Sequence, residues 1–206
     1  MQLFDAASLS DRALGQILSF LQDGGVIAFP TDTAYGLGAD PFNEGAVRRI
    51  FEMKGRAETK PILVLVDSIA MANSIARLSE TALALAERFW PGPLTMVLPA
   101  RASVSATVTA GSETIGVRWA NNVFTQRLLE AFGRPITATS ANRSGLPSAV
   151  TAEEVRVQLG DSLEMLVDGG ELPAREGSTL LDVTRIPVRL LREGPIAEAE
   201  LSDVLR

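Results

Sequence analysis

Apolar residues recur along the chain with two different periods, which predicts alternating helices and strands. In residues 10–23 and 44–53 they recur every three to four positions, as expected for amphipathic helices. Short continuous apolar runs, such as residues 26–30 and 62–66, predict buried strands. Residues that favour helix N-termini stand before several of the helical segments: Asn43, Asp67, Ser79 and Thr151. Alternation of this kind is typical of α/β proteins.

The predicted elements cover most of the chain. Helices are predicted over residues 10–23, 44–53, 68–76, 80–89, 122–132 and 197–205, with one more beginning at Thr151 and a capping box with Glu154. Strands are predicted over residues 26–30, 61–66, 94–98, 115–119, 136–139, 165–167, 178–183 and 188–192. Residues 101–114 show no clear pattern and are predicted to form a loop. We therefore expect a single α/β domain over residues 1–206, with one twisted, mixed sheet and flanking helices.

Composition restricts the available chemistry. The chain has no cysteine and no histidine, which excludes thiolate nucleophiles, Cys- or His-ligated metals and Ser-His-Asp catalysis. Carboxylates, hydroxyls, amides, lysine, arginine and the backbone remain. Such groups suit phosphate and nucleotide handling, with Mg²⁺ carried in by the substrate and no metal bound by the protein itself.

Net charge and hydropathy bear on partners and compartment. The formal net charge is −6, which argues against a general nucleic-acid binder but does not exclude a local basic cleft. No apolar run is long enough to span a bilayer, and the first residues lack the basic start and apolar segment of a signal peptide. We expect a cytoplasmic protein that does not bind membranes.

Both lysines of the chain, Lys54 and Lys60, lie in one short segment, with Arg56 between them. A compact ammonium and a forked guanidinium beside a glycine would suit a polyanion such as a nucleoside triphosphate. A solvated basic turn after a helix explains the same residues, because cations are favourable near a helix C-terminus. The segment alone leaves both interpretations open.

Polar loops adjoin apolar strands at residues 30–38, 54–61 and 140–148. Such loops at strand ends are where α/β proteins place ligands. Each polar residue also has a structural interpretation. Thr31 and Thr33 could form hydrogen bonds with the backbone of their own turn, and Ser140 and Asn142 could do the same in theirs. Arg118 could form a salt bridge on a strand face. Tyr35 could belong to the core. The spacing fits neither a dinucleotide-binding fingerprint nor a P-loop.

Taken together, the motifs resemble those of the YrdC-like threonylcarbamoyl-AMP synthases. The matching segments are PTDTAYGLGAD at 30–40, KGR followed by KP within 54–61, WPGPLTMVL at 90–98, IGVRW at 115–119 and TSANRSG at 139–145. They follow the family's order and extend the resemblance over about residues 10–195. The resemblance implies a single YrdC-like domain with a concave basic cleft.

The resemblance also implies an activity. These enzymes join L-threonine, bicarbonate and ATP, with Mg²⁺, into threonylcarbamoyl-adenylate and pyrophosphate. The product serves N6-threonylcarbamoylation of adenosine 37 in tRNAs that read codons beginning with A. It implies a nucleotidyltransferase that passes its labile product to the tRNA-modifying transferase, with little or no direct RNA binding of its own.

The resemblance assigns roles by position. The family's KxR and SxN signature, to which the resemblance assigns the catalytic role, falls on Lys54, Arg56, Ser140 and Asn142. ATP would be bound by Arg56, Lys60, Thr114, the backbone at Ala138, Ser140, Ser148 and Arg192. Threonine would be bound by Thr33, Arg118 and Ser178. The chemistry is compatible, because a guanidinium fork suits a carboxylate and small hydroxyls suit an amine or a hydroxyl.

Two positions depart from the family pattern. Leu65 stands where many members carry histidine, and Lys60 stands where asparagine is common. Two alternatives are an RNA-binding module and a sister family with the same fold but altered chemistry. The acidic net charge speaks against the first, and the intact signature speaks against the second. Carbamoyl-transfer maturation proteins that contain this domain are much longer and carry zinc-binding cysteines, which this chain lacks.

Overall fold

The computed structural model describes residues 1–173 and 176–202. Its helices, numbered in chain order, are α1 Asp11–Gln22, α2 Glu44–Lys54, α3 Ile69–Ile75, α4 Glu80–Phe89, α5 Ala106–Thr109, α6 Val123–Phe132, α7 Ala152–Leu159 and α8 Glu198–Leu201. Its strands are β1 Gln2–Asp5, β2 Ile27–Phe29, β3 Gly36–Gly38, β4 Leu63–Leu65, β5 Leu94–Pro99, β6 Thr114–Arg118, β7 Ile136–Ser140, β8 Met165–Asp168, β9 Thr179–Asp182 and β10 Arg189–Arg192.

In the described residues the strands form one ten-stranded sheet in the order β1-β8-β2-β3-β7-β4-β6-β5-β9-β10. Pairing is parallel between β1 and β8, β8 and β2, β4 and β6, and β5 and β9. The remaining neighbours pair antiparallel. The predicted α/β class with a mixed sheet is therefore confirmed.

The strands bury side chains on both faces of the sheet. Alternate residues point to opposite faces, so Val64 of β4 joins one hydrophobic cluster while Leu65 joins the other. Helices α1 and α6 cover the face that carries Leu65, using apolar residues such as Ile17 and Leu128. Because this cover does not extend across all ten strands, part of the same face lines an open cavity.

The predicted helix starts are mostly confirmed. The side chains of Asn43, Ser79 and Thr151 each accept a hydrogen bond from the backbone of the helix that follows. The prediction that Asp67 caps the next helix is wrong. The Ser68 hydroxyl accepts a hydrogen bond from Met71 N–H and caps α3 instead. The predicted helix 197–205 is present as α8, and its last residues lie outside the described part of the chain.

Three short elements depart from the prediction. Strand β1 precedes the first predicted element and pairs with β8, and α5 forms one turn inside the predicted loop 101–114. Strand β3 lies within the predicted polar loop 30–38. Its glycines suit close packing: a Cβ on Gly38 would lie 2.5 Å from Phe29 Cε1 and 2.9 Å from Thr137 O. The strand depends on that close approach rather than on β propensity.

Candidate active site

A cavity of about 320 Å³ opens on the sheet face formed by the neighbouring strands β7, β4, β6, β5 and β9. Its floor consists of alternate residues of these strands, as Thr114, Gly116 and Arg118 of β6 illustrate. Loop residues, including Thr33 and Arg56, form the walls. The volume lies within the range of small-ligand sites.

Most of the predicted site residues meet in this cavity. Those that line it are Thr33, Arg56, Thr114, Ala138, Ser140, Ser148, Ser178, Arg118 and Arg192. Lys54 and Asn142 are buried beside Ser140 but do not line the cavity, and Lys60 is exposed on the loop after α2. The contact predicted between Lys60 and ATP stays a prediction.

Arg118 lies at the end of β6 and is 4% exposed. Its Nε donates to Gly92 O at 3.2 Å, its Nη1 donates to Thr33 Oγ1 at 3.0 Å, and its Nη2 donates to Asp32 Oδ1. Burial lowers the pKa of Arg118, and the neighbouring Asp32 carboxylate opposes that shift. Three anchors fix the guanidinium and leave two of its five N–H groups for a ligand. The predicted strand-face salt bridge is thus present.

A second polar group forms where β5 and β9 run side by side. Thr95 and Ser178 are buried with their hydroxyl oxygens 2.6 Å apart. Arg192 donates to Ser178 O from Nε at 3.0 Å and from Nη2 at 2.8 Å. The side chain of Arg192 therefore fixes the backbone that presents the Ser178 hydroxyl to the cavity.

Lys54 has a structural role behind the cavity wall. It is 3% exposed, and its Nζ donates to Ser140 O, to Asn142 O at 2.8 Å and to Asn142 Oδ1 at 3.2 Å. Asn142 Nδ2 in turn donates to Leu146 O at 2.6 Å. Lys54 and Asn142 thus shape the loop that presents Ser140, and neither side chain lines the cavity.

Arg56 reaches the cavity from the loop after α2. Its Nη1 donates to Thr139 Oγ1 at 3.0 Å and its Nη2 donates to Pro61 O at 2.9 Å. The Nε of Arg56 is buried without a partner in the described structure. Burial lowers the pKa of Arg56. A partly bonded, partly desolvated guanidinium of this kind suits an anionic ligand.

Tyr35 fixes the loop that carries Thr31, Asp32 and Thr33. Its hydroxyl accepts from Gly169 N–H at 2.9 Å and lies 2.8 Å from Gly170 O. Burial raises the pKa of Tyr35 to about 12, so it remains a neutral donor at physiological pH. Tyr35 has 0% exposure, in agreement with its structural interpretation as a core residue.

Two residues of the site were not predicted as such. Asp32 lies inside the motif at 30–40, but its partner Arg118 is 86 positions away in sequence. Thr95 is the polar residue within the apolar stretch LTMVL, and that break in the pattern is the signal that could have identified it.

The Lys54 environment predicts a pH-dependent stability. Burial, assisted by repulsion from Arg56, lowers the pKa of Lys54 from 10.5 to about 7. Between these values the unfolded chain holds more protons than the folded protein, so the free energy of unfolding rises with pH. Below about pH 7 both states are protonated and the dependence vanishes.

Chemical denaturation at several pH values checks this expectation. The difference in unfolding free energy between the parent protein and Lys54→Met should rise above about pH 7, by on the order of 1 kcal/mol per pH unit. Lys60→Met, which removes the exposed lysine, is measured in parallel to control for the loss of a lysine as such. A difference that stays constant from about pH 7 to 9 would contradict the assigned environment of Lys54.

The site's motifs are shared with a known family. A family model named for Sua5, YciO and YrdC, and described as telomere recombination, matches residues 19–194. The chain belongs to this family. The resemblance seen in the motifs is thereby confirmed.

Individual members of the Sua5/YciO/YrdC family give the scale of the similarity. The threonylcarbamoyl-AMP synthase of Pyrococcus abyssi is 41% identical over 187 residues, which are 90% of this chain and 55% of that protein. The threonylcarbamoyl-AMP synthase of Vibrio parahaemolyticus is 36% identical over 182 residues, 87% of this chain and 97% of that protein. The chain thus spans little more than half of the Pyrococcus relative.

A solved member of the family has the same fold. The crystal structure of P. abyssi Sua5 complexed with L-threonine matches with a TM-score of 0.94 and 38% identity, over 100% of this chain and 61% of that one. What is bound there is a property of that protein. The two proteins therefore share the fold over the whole length of this chain.

Three further properties concern charge, metals and membranes. The cavity is lined by three arginines, but Asp32 pairs with one of them and Glu176 lies in the wall, so its basic character stays a prediction. Among the described residues, no cluster of three or more acidic side chains could hold a metal ion. In the same part of the chain, no helix is long and apolar enough to cross a membrane.

Proposed function

We propose that the protein is an L-threonylcarbamoyladenylate synthase, a nucleotidyltransferase acting on L-threonine, bicarbonate and ATP. The observation that carries this proposal is the pairing of two polar regions in one cavity. Arg118 with Thr33 lies at one end of β6, and Thr114 lies at the other end, about 13 Å away by strand geometry. The relatives from Pyrococcus and Vibrio are both threonylcarbamoyl-AMP synthases, which supports the same activity.

Arg118 would bind the threonine carboxylate with its two remaining N–H groups. The guanidinium is already oriented by Gly92 O, Thr33 and Asp32, so little freedom is lost on binding. The hydroxyls of Thr33 and Ser178 would meet the hydroxyl and amino groups of the substrate. Leu65, which is buried in the floor opposite Arg118 in the sheet register, offers an apolar surface to the methyl group.

ATP would occupy the part of the cavity between Arg56, Ser140 and Thr114. Arg56 would neutralise phosphate charge, while Ser140 and the backbone at Ala138 would position the nucleotide. Arg192 and Ser148 complete the predicted ATP site. Lys54 and Asn142 would act through the shape of the Ser140 loop. Mg²⁺ would be held by the phosphate oxygens of ATP, which fits the oxygen-rich coordination that this ion prefers.

The reaction needs no covalent enzyme intermediate. The threonine amine adds to bicarbonate with loss of water and yields a carbamate. A carbamate oxygen then attacks the α-phosphorus of ATP, the bond from that phosphorus to the bridging oxygen breaks, and pyrophosphate leaves. Positioning and charge neutralisation are the main requirements of such a transfer. Arginines and hydroxyls can supply both, which accounts for a site without cysteine or histidine.

The labile adenylate would pass to a transferase that modifies adenosine 37 of tRNA. Direct RNA binding by this chain is expected to be weak or absent, because the net charge is −6. A cytoplasmic location is part of the same proposal.

Pyrophosphate release tests the proposed function. The purified protein is supplied with Mg·ATP, and bicarbonate and L-threonine are omitted singly and together. Release that requires both compounds is expected. Release that is equally fast without threonine would mean simple ATP hydrolysis and would overturn the proposal, as would the absence of any release.

A further inference from the structure

Asp32 has an unused oxygen next to the residue that anchors the carboxylate. Its Oδ1 accepts from Arg118 Nη2, but its Oδ2 is buried and has no hydrogen-bond partner in the described structure. The side chain is 12% exposed and that of Arg118 is 5% exposed, so water screens the pair poorly. A buried carboxylate oxygen without a partner is costly and calls for an explanation.

Asp32 does not itself line the cavity, but its two neighbours in sequence and its ion-pair partner do. Thr31 and Thr33, which flank Asp32, both line the cavity, and so does Arg118, to which Asp32 is bonded. Thr31 Oγ1 donates to Ala34 O at 2.7 Å and accepts from Thr33 N–H at 3.1 Å, which fixes the turn around Asp32. A ligand held by Arg118 therefore lies beside the Asp32 carboxylate.

The charges of the pair select a particular kind of ligand. Arg118 alone would attract any carboxylate, as well as bicarbonate and the phosphates of ATP. With Asp32 bonded to it, the pair has no net charge, and a second anion gains less from approaching it. A zwitterion fits the pair, because its carboxylate can face the guanidinium while its ammonium faces the Asp32 carboxylate.

We infer that Asp32 is a specificity-determining residue, which makes the Arg118 site select a zwitterionic α-amino acid over a simple carboxylate. This inference rests on the proposed function and adds a role for a residue that lies outside the predicted site. Asp32 acts in two ways: it cancels the charge of Arg118, and its carboxylate attracts the amino group of the ligand.

Calorimetric titration with two ligands tests the inference without any catalytic step. L-threonine is compared with R-3-hydroxybutanoate, which is threonine without its amino group. The unsubstituted protein should prefer threonine. In Asp32→Asn the ratio of the two dissociation constants should fall by about tenfold or more, because the ammonium loses the opposite charge that faces it. Asp32→Glu, which keeps the charge, should retain part of the preference.

Asp40→Asn is the matched control. Asp40 is also a buried carboxylate paired with an arginine, but its partner Arg134, unlike Arg118, does not line the cavity. The Asp40→Asn substitution should leave the ratio of the two dissociation constants unchanged. Circular dichroism of each variant, and retained binding of R-3-hydroxybutanoate by Asp32→Asn, establish that the site is still folded.

The outcomes separate this inference from the proposed function. A threonine preference that Asp32→Asn leaves intact would overturn the inference alone, and pyrophosphate release would still test the synthase. Weaker binding of both ligands in equal proportion would show a merely structural role and would also overturn it. Failure of the unsubstituted protein to bind threonine would overturn the inference together with the proposed substrate.

Discussion

Replacement of Arg118 by methionine is expected to lower the free energy of unfolding by about 3–5 kcal/mol and to abolish L-threonine binding. The stability effect follows from Asp32, whose carboxylate is left buried without its cation. The loss of binding follows because no other arginine of the cavity shares the anchors that Gly92 and Thr33 provide. Urea unfolding and calorimetric titration measure the two effects separately.

A double variant distinguishes the two effects. Arg118→Met with Asp32→Asn removes both charges, so most of the lost stability should return while threonine binding stays absent. Recovery of stability without binding is expected only if the ion pair is buried as described and Arg118 holds the carboxylate. A single variant as stable as the parent, or one that still binds threonine, would contradict this assignment.

Replacement of Arg56 by methionine is expected to slow pyrophosphate release by about 10²–10³-fold, with little change in threonine binding. The guanidinium lies in the part of the cavity assigned to ATP, and its Nε is buried without a partner. Its bonds to Thr139 and Pro61 hold it in place before any ligand arrives. The loss should therefore fall on the chemical step and on ATP binding. Steady-state kinetics with ATP and with threonine as the varied substrate measure it.

Arg48→Met is the control for Arg56→Met. Arg48 lies on α2 in an exposed ion pair with Glu44 at 3.6 Å, outside the cavity. Its removal should change the rate of pyrophosphate release less than twofold, because Arg48 lies outside the cavity. Its exposed ion pair also contributes little to the stability of the fold. Equal effects of the two substitutions would mean that Arg56 has no special role in the reaction.

The elements that the sequence predicted correctly are those set by local signals. Helices α2, α4 and α7 begin after the predicted capping residues Asn43, Ser79 and Thr151, because a cap depends on a few neighbouring backbone groups. Asp67 and Ser68 stand next to each other and both can cap, so the pattern could not decide between them. Strand β1, mostly exposed and paired with a distant strand, left no periodic signal.

The site residues likewise include some that the sequence predicted and some features that it could not predict. Thr33 and Arg118 lie in the motifs, Ser178 was assigned by its position in the family resemblance, and the structure places all three in one cavity. The orientation of the Lys54 side chain could not be predicted: its amino group faces the carbonyl of Ser140 instead of the cavity. That orientation depends on how α2 packs against the loop after β7.

The floor of the cavity has a pattern that could be searched for in related chains. In β5 and β6, buried apolar residues such as Met96 and Val117 alternate with small or polar residues such as Thr95 and Gly116. An alternation of this kind normally marks a strand with one solvated face. In β5 and β6 the face with small or polar residues lines the cavity instead. Once the strand order is known, this alternation therefore indicates where the ligand site lies.

Detection of the product tests the central claim most directly. The protein is incubated with Mg·ATP, L-threonine and isotopically labelled bicarbonate, and the nucleotide products are identified by mass spectrometry. Threonylcarbamoyl-adenylate is expected, with the labelled carbon in the carbamoyl group and pyrophosphate in equal amount. Pyrophosphate accompanied only by AMP, or a nucleotide product without the label, would contradict the assignment of this cavity to threonylcarbamoyl-adenylate synthesis.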